Sequence, residues 1–178
     1  MKYTGYHGFS SADQLARQLV IISYNLHGLN QGKHGIDELI LTIEPDFILL
    51  QEHWLTPDNM FKLSELSVNY SFFGSSAMNA CVSSGPLIGR PFGGTAIMVN
   101  NKYVCATTSL VSSDRYTAIK VGDLLLITIY MPCVGTDQRD SLYSDILCEL
   151  DALINDHPEC KQCFIGGDFN TNLDCSVS

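Results

Sequence analysis

Residues 19–25, Leu19-Val20-Ile21-Ile22-Ser23-Tyr24-Asn25, and residues 45–53, Pro45-Asp46-Phe47-Ile48-Leu49-Leu50-Gln51-Glu52-His53, decide the fold. Each holds a short apolar run that ends on polar residues, the pattern of a buried strand that delivers polar side chains to a loop. Between them Ile36, Leu39, Ile40 and Ile43 recur at helical spacing, and Pro45 ends the stripe. Strand, helix, strand makes a βαβ unit, which favours a parallel pair with its polar residues gathered at the strands' carboxyl ends. Asn25 and Glu52 are then expected side by side.

Further along, Asp58 to Leu66 reads as a short helix. Ser67 to Gly94, rich in Ser, Gly and Asn, reads as a long surface loop with at most one strand near Tyr70 to Phe73. Thr95–Val99, Val104–Leu110, Tyr116–Val121 and Leu124–Met131 follow as strands, the last two joined by a tight Gly122-Asp123 turn in an antiparallel hairpin. Asp137 to Asn155 predicts a helix with Asp137 as N-cap and Leu142, Ile146, Leu150, Leu153 and Ile154 on its packing face. Cys163 to Gly166 is a last short strand, running into Gly167-Asp168-Phe169-Asn170. Residues 1–18 form an N-terminal lead-in, and 19–178 form one domain.

The composition of the 178 residues limits the function. Hydrophobic residues make up 46% and charged residues 16%, which supports a packed core and excludes global disorder. Ten Lys and Arg against 19 Asp and Glu give a net charge of −9, the wrong sign for gripping nucleic acid mainly by counterion release. A phosphate partner must then be met locally or through a cation. Seven cysteines, an odd number without an apolar leader, argue against a secreted disulfide framework and for an intracellular, reducing home. No apolar run approaches the ~20 residues of a membrane span, so a soluble chain without a membrane partner is expected. His157, Cys160 and Cys163 with Cys175 could be drawn as a zinc set, but a single Cys-x-x-Cys is a weak signal; the other cysteines are expected in the core.

Asn25, Glu52, Tyr130 and the pair Asp168/Asn170 each close or nearly close an apolar strand. A carboxylate and an amide oxygen form a hard-oxygen set suited to Mg²⁺, and such an ion lets an acidic protein hold a phosphodiester. The blander alternatives are a solvated carboxylate for Glu52, a cap for Asn25, a strand aromatic for Tyr130 and turn residues for Asp168 and Asn170. Arg115, His27 and His53 have comparable surface or local roles open to them and are left out of the site.

Taken in order, four motifs resemble those of the endonuclease/exonuclease/phosphatase superfamily: Ser23-Tyr24-Asn25-Leu26-His27-Gly28-Leu29, Pro45 to Leu55, Ile129-Tyr130-Met131-Pro132 and Gly166-Gly167-Asp168-Phe169-Asn170. The Gln51-Glu52-His53-Trp54-Leu55 version, with Gly93-Gly94-Thr95-Ala96-Ile97, looks more like the endonucleases of non-LTR (LINE-type) retrotransposons. The resemblance implies an α/β, DNase I-like four-layer sandwich of two mixed β-sheets flanked by helices. It implies Mg²⁺-dependent phosphodiester hydrolysis on DNA, with Mn²⁺ able to substitute, in a nuclear retrotransposon protein that also carries a reverse-transcriptase region. Glu52 would bind the metal with Asn25 alongside, Asp168 would orient or deprotonate the water, Asn170 would hydrogen-bond phosphoryl oxygens and Tyr130 would donate to the phosphate.

The family's further Ser-Asp-His motif has no counterpart here, which implies a domain truncated at its C-terminus, with weak or no activity and an exposed edge on the sheet expected to hold Thr95 to Met131. Two other functions compete: a phosphatase or phosphodiesterase of the same superfamily acting on a lipid or small phosphoester, and a non-catalytic remnant that binds metal or a partner only. The first gains from the Ser67–Gly94 loop, whose single basic residue is Arg90.

Overall fold

The computed structural model describes residues 18–86 and 89–171. Residues 1–17 of the 1–18 lead-in, and Cys175, lie outside the described residues. Strand β1 (Ile21–Asn25), helix α1 (Leu29–Ile43) and strand β2 (Phe47–Gln51) form the expected βαβ unit. β1 and β2 pair in parallel, with Asn25 opposite Gln51. A 3₁₀ helix (Pro57–Leu63) follows, with Pro57 in its first turn where a missing N–H costs nothing. After it come β3 (Tyr70–Ser75) and a short α2 (Asn79–Ser83). β4 (Thr95–Asn100) leads into α3 (Asn101–Val104), then β5 (Thr107–Ser112), β6 (Tyr116–Val121) and β7 (Leu124–Tyr130), which are followed by α4 (Arg139–Asn155) and β8 (Gln162–Asp168).

Two four-stranded mixed sheets result, ordered β1-β2-β4-β3 and β5-β6-β7-β8. The side-chain alternation explains how they stack. Phe47 and Leu49 of β2 face inward with Ile97, Val99, Ile119, Leu124 and Leu126 between the sheets. Ile48 and Leu50 face outward with Leu29 and Ile36 of α1, while Leu125, Ile127 and Ile129 of β7 pack outward with Ile146, Leu150 and Leu153 of α4. The order of layers is therefore α1, first sheet, second sheet, α4. β2 is buried along its whole length, as its unbroken apolar run requires.

The structure corrects several local expectations. Thr95–Asn100 belongs to the first sheet, between β2 and β3, and does not join the sheet of β5–β7. The edges of the second sheet are β5 and β8, and Phe164 of β8 is half-exposed. The residues before β5 form α3, because Asn100 Oδ1 accepts from Lys102 N (3.2 Å) and caps a helical turn. Asp137 does not cap α4; the helix begins at Arg139 after Gln138 in a left-handed conformation, and Leu142 and Ile154 stay partly exposed. Ile43, placed by spacing on the stripe of α1, is exposed on its last turn. Cys81, Cys105, Cys133, Cys148 and Cys163 are exposed, not core residues.

Candidate active site

The two sheets bring four strand ends together. Parallel pairing sets Asn25 level with Gln51, one residue before Glu52, and sets Tyr130 level with Asp168. Beneath this end of the sandwich, two buried polar bridges fix one sheet against the other: Gln51 Nε2 donates to Thr128 Oγ1 (2.8 Å), and the Thr95 and Thr117 hydroxyls meet at 2.9 Å. Asn25 spans the gap above. Its Nδ2 donates to Glu52 Oε1 at 2.8 Å and to Asp168 Oδ2 at 3.0 Å, so one amide joins carboxylates from both sheets. Its Oδ1 accepts the His27 N–H at 3.0 Å. Trp54 Nε1 donates to Glu52 Oε2 at 3.1 Å.

Backbone strain concentrates here. His27, Glu52, Trp54 and Asn170 all hold φ near +50°, a left-handed conformation that costs of order 1 kcal/mol or more for a side chain with Cβ. Surrounding contacts hold them in place. Gly28 N and Leu29 N donate to the Glu52 and His53 carbonyls (2.7 and 3.0 Å), and Trp54 N donates to Gly93 O (3.0 Å). Gly167 must be glycine: at φ +147° a Cβ would lie 2.0 Å from Ile129 O, so β7 and β8 approach closely just before Asp168. Gly94 likewise leaves room for the His53 ring, which a Cβ would meet at 2.3 Å.

Asp168 Oδ1 accepts the Asn170 N–H (3.0 Å), an Asx turn that orients the carboxylate. Asn170 Nδ2 donates to Met131 O (2.8 Å), and Arg139 Nη2 donates to Asn170 O (2.8 Å), tying the segment after β8 to the start of α4. Burial pushes the Tyr130 phenol up to about 12, with the negative charges of Glu52, Cys133 and Asp168 adding to it and Arg115 opposing. Tyr130 is thus a neutral O–H donor at physiological pH. Burial lowers His53 to about 4. Its Nδ1 accepts from Leu55 N (3.0 Å), so the proton is on Nε2, which donates to Ser75 O at 3.0 Å.

All five residues singled out from the sequence, Asn25, Glu52, Tyr130, Asp168 and Asn170, come to this end of the sandwich. His53 does not face the site; it staples the ends of β2 and β3. His27 does, with Nδ1 3.7 Å from Glu52 Oε2 on a largely exposed side chain. Two further residues belong to the neighbourhood: Trp54, through its bond to Glu52, and Arg115, whose guanidinium lies 5.8 Å from the Tyr130 ring centroid and whose carbonyl accepts the Tyr130 N–H. Trp54 stands within the Gln51–Leu55 motif but is not singled out there, and Arg115 is set aside as a surface residue. Among the described residues no three His, Cys, Asp or Glu side chains gather as a metal cluster, so His157, Cys160 and Cys163 do not form a zinc set there.

The sequence profile of the Endonuclease/Exonuclease/phosphatase family matches residues 22–178, and the chain belongs to that family. The family is one of phosphoester hydrolases, as its name states. A comparison with curated protein sequences finds no match. Among solved structures, a 3′ phosphatase, NExo, from Neisseria, bound to a product DNA hairpin, superposes with a TM-score of 0.64 at 16% identity over 86% of this chain and 58% of its own. A D. rerio TDP2 complexed with a single-strand DNA product gives 0.55 at 23% identity over 86% and 61%, and the human Nocturnin catalytic domain gives 0.52 at 14% over 86% and 64%. These are likenesses of fold. The chain spans less than two thirds of the length of each.

Proposed function

We propose that this end of the sandwich is a divalent-metal phosphodiesterase centre that hydrolyses DNA. The observation that carries the reading is that Glu52 and Asp168, from different sheets, share one neutral donor, Asn25 Nδ2, while neither has a Lys or Arg ion pair among the described residues. Two carboxylates so close repel each other, and an oxygen-rich set of this size fits a hard cation, Mg²⁺ or Mn²⁺, which takes one or two carboxylates and keeps several waters. Glu52 would hold the ion with Asn25 alongside. When bound, the ion polarises a phosphoryl oxygen and stabilises the charge that develops there.

The chain's own residues would supply the rest. Asp168, oriented by the Asn170 N–H, positions a water for in-line attack and accepts its proton. Asn170 and the neutral Tyr130 phenol donate to the phosphoryl oxygens or the departing oxygen. DNA is favoured because similar folds have been solved with a product DNA hairpin and with a single-strand DNA product. Within that reading, the Gln51–Leu55 motif favours a non-LTR retrotransposon endonuclease, acting in the nucleus beside a reverse-transcriptase region.

Nicking of supercoiled plasmid with Mg²⁺ tests the proposal. Nicking by the wild-type chain, and its loss in Glu52→Ala, is the expected result; equal nicking by both would overturn it.

A further inference from the structure

A groove of about 390 Å³ opens beside Glu52, lined by Trp54, Lys62, Arg90, Asn30, Gln31 and Asn59 among others. Its charge is opposite to that of the chain. In a protein with 19 acidic and 10 basic residues, no carboxylate among the described residues lines this groove, while two cations do. Among the described residues, Lys102, Arg115, Lys120 and Arg139 are each paired with an acid, whereas Lys62 and Arg90 have no ion pair, as Lys33 and Lys161 elsewhere on the surface have none. The fold sets them there. Trp54 N–H to Gly93 O pins the loop that carries Arg90 to the end of β2, and the 3₁₀ helix places Lys62 on its last turn. The Trp54 ring packs over Gly28, and its Nε1 reaches Glu52, so the indole stands at the junction of groove and candidate metal centre.

Resting on the reading above, we infer that this groove is a subsite for single-stranded polynucleotide: it takes the nucleotide next to the scissile phosphodiester, with Lys62 and Arg90 on its phosphate and Trp54 under its base. The groove's size suits about one nucleotide. An aromatic face beside two cations is the combination that single strands use, stacking for the base and charge for the backbone. The amides of Asn30, Gln31 and Asn59 offer donors and acceptors to a base edge. A substrate that fills the groove extends beyond the cleaved bond, which separates a polynucleotide from a small phosphoester.

The test is binding of fluorescein-labelled decathymidylate in EDTA, read by anisotropy and by emission from Trp54, the chain's single tryptophan. The probe variants are Lys62→Ala/Arg90→Ala and, as a control of equal charge, Lys33→Ala/Lys161→Ala. All four side chains are exposed, so folding is expected to survive, and circular dichroism checks it. Lys62→Ala/Arg90→Ala is expected to weaken binding about tenfold and to flatten the dependence of log Kd on log salt by about 1.4, while the control stays within about twofold. Wild-type binding is expected to quench or shift the Trp54 emission. Equal weakening by both pairs, no effect of Lys62→Ala/Arg90→Ala, or no wild-type binding would each overturn the subsite; tighter binding of duplex through the same residues would overturn its single-strand character. Binding that follows the expected pattern in a chain that never nicks would sink the hydrolytic reading and leave the groove standing.

Discussion

Asp46 and Glu52 bracket the same buried strand, six residues apart, and the fold treats them in opposite ways. Asp46, its side chain 5% exposed, is neutralised: Lys102 Nζ pairs with one oxygen and the Val20 N–H donates to the other at 2.9 Å. Burial pushes its carboxyl up, but the Lys102 and Val20 bonds more than offset this and hold it below its usual value. Glu52, 13% exposed, receives among the described residues only the neutral donors Asn25 Nδ2 and Trp54 Nε1, with His27 at 3.7 Å, and is itself left-handed. A half-buried carboxylate beside a second one, supplied with dipoles but with no lysine or arginine, is what a cation site requires. Asp46 is held by an ion pair, and the proposed function assigns Glu52 to the chemistry.

Exchanging each acid for its amide is the sharpest way to break this contrast. Glu52→Gln should lower nicking by about 10³-fold or more, as loss of several kcal/mol of transition-state stabilisation implies, while its thermal midpoint holds or rises because a repulsion is gone. Asp46→Asn should do the reverse, keeping the rate per folded molecule. If both variants lost only stability, Glu52 would be as architectural as Asp46.

Next in size is an acid effect near the candidate site that does not involve the two acids. His53 takes up its proton at about 4 in the fold against an ordinary value near 6.5, because burial disfavours the charged ring. The unfolded chain therefore binds more protons between these values. The contribution of His53 is complete above pH 6.5 and falls by about 3 kcal/mol as the pH drops to 4. Urea unfolding at pH 7, 5.5 and 4 should show this loss, and His53→Gln should flatten the slope across that window. An unchanged slope would mean that the ring is not held neutral by its contacts.

Smaller is the loss in Asp46→Asn, about 2 kcal/mol in urea unfolding, because Lys102 is about one-third exposed and regains water when its partner goes. The smallest expected effect is that of Tyr130→Phe, a fall in kcat of about tenfold with KM nearly unchanged, the signature of one lost donor to the reacting group. A rise in KM with kcat preserved would instead place the phenol in substrate binding.

The layered α/β class and the strand ends that meet at the candidate site were legible in the sequence, and the pairing of the strands around them was less so. Apolar runs that stop on Asn25, Glu52, Tyr130 and Asp168 announce both the strands and what they deliver, because burial fixes where a strand can begin and end. Local pattern does not choose partners. Nothing within Thr95–Asn100 says that it pairs with β2 and β3 and not with β5, since that choice is made by inward residues such as Ile97 and Val99 meeting Phe47 and Leu49. Caps failed for a related reason: Asn100 and Asp137 are both plausible caps by type, and only the backbone course puts Asn100 at a helix start and Asp137 outside one. Cysteine is apolar enough to be assigned to the core, yet most of these thiols lie at the surface. His53 lies between Glu52 and Trp54, both left-handed, and this backbone course sends neighbouring side chains to unrelated places, His53 into the core and Trp54 beside Glu52.

The central proposal is that Glu52, with Asn25 alongside, holds a divalent ion beside Asp168, and titration of Mn²⁺ against Trp54 emission tests it most directly. The indole nitrogen lies 3.1 Å from a Glu52 oxygen, so a paramagnetic ion bound there must quench it. Saturable quenching in the wild-type chain, weakened in Glu52→Gln and in Asp168→Asn and unchanged in Asp46→Asn, is the predicted result. Quenching that never saturates, or that saturates identically in Glu52→Gln, would contradict the account.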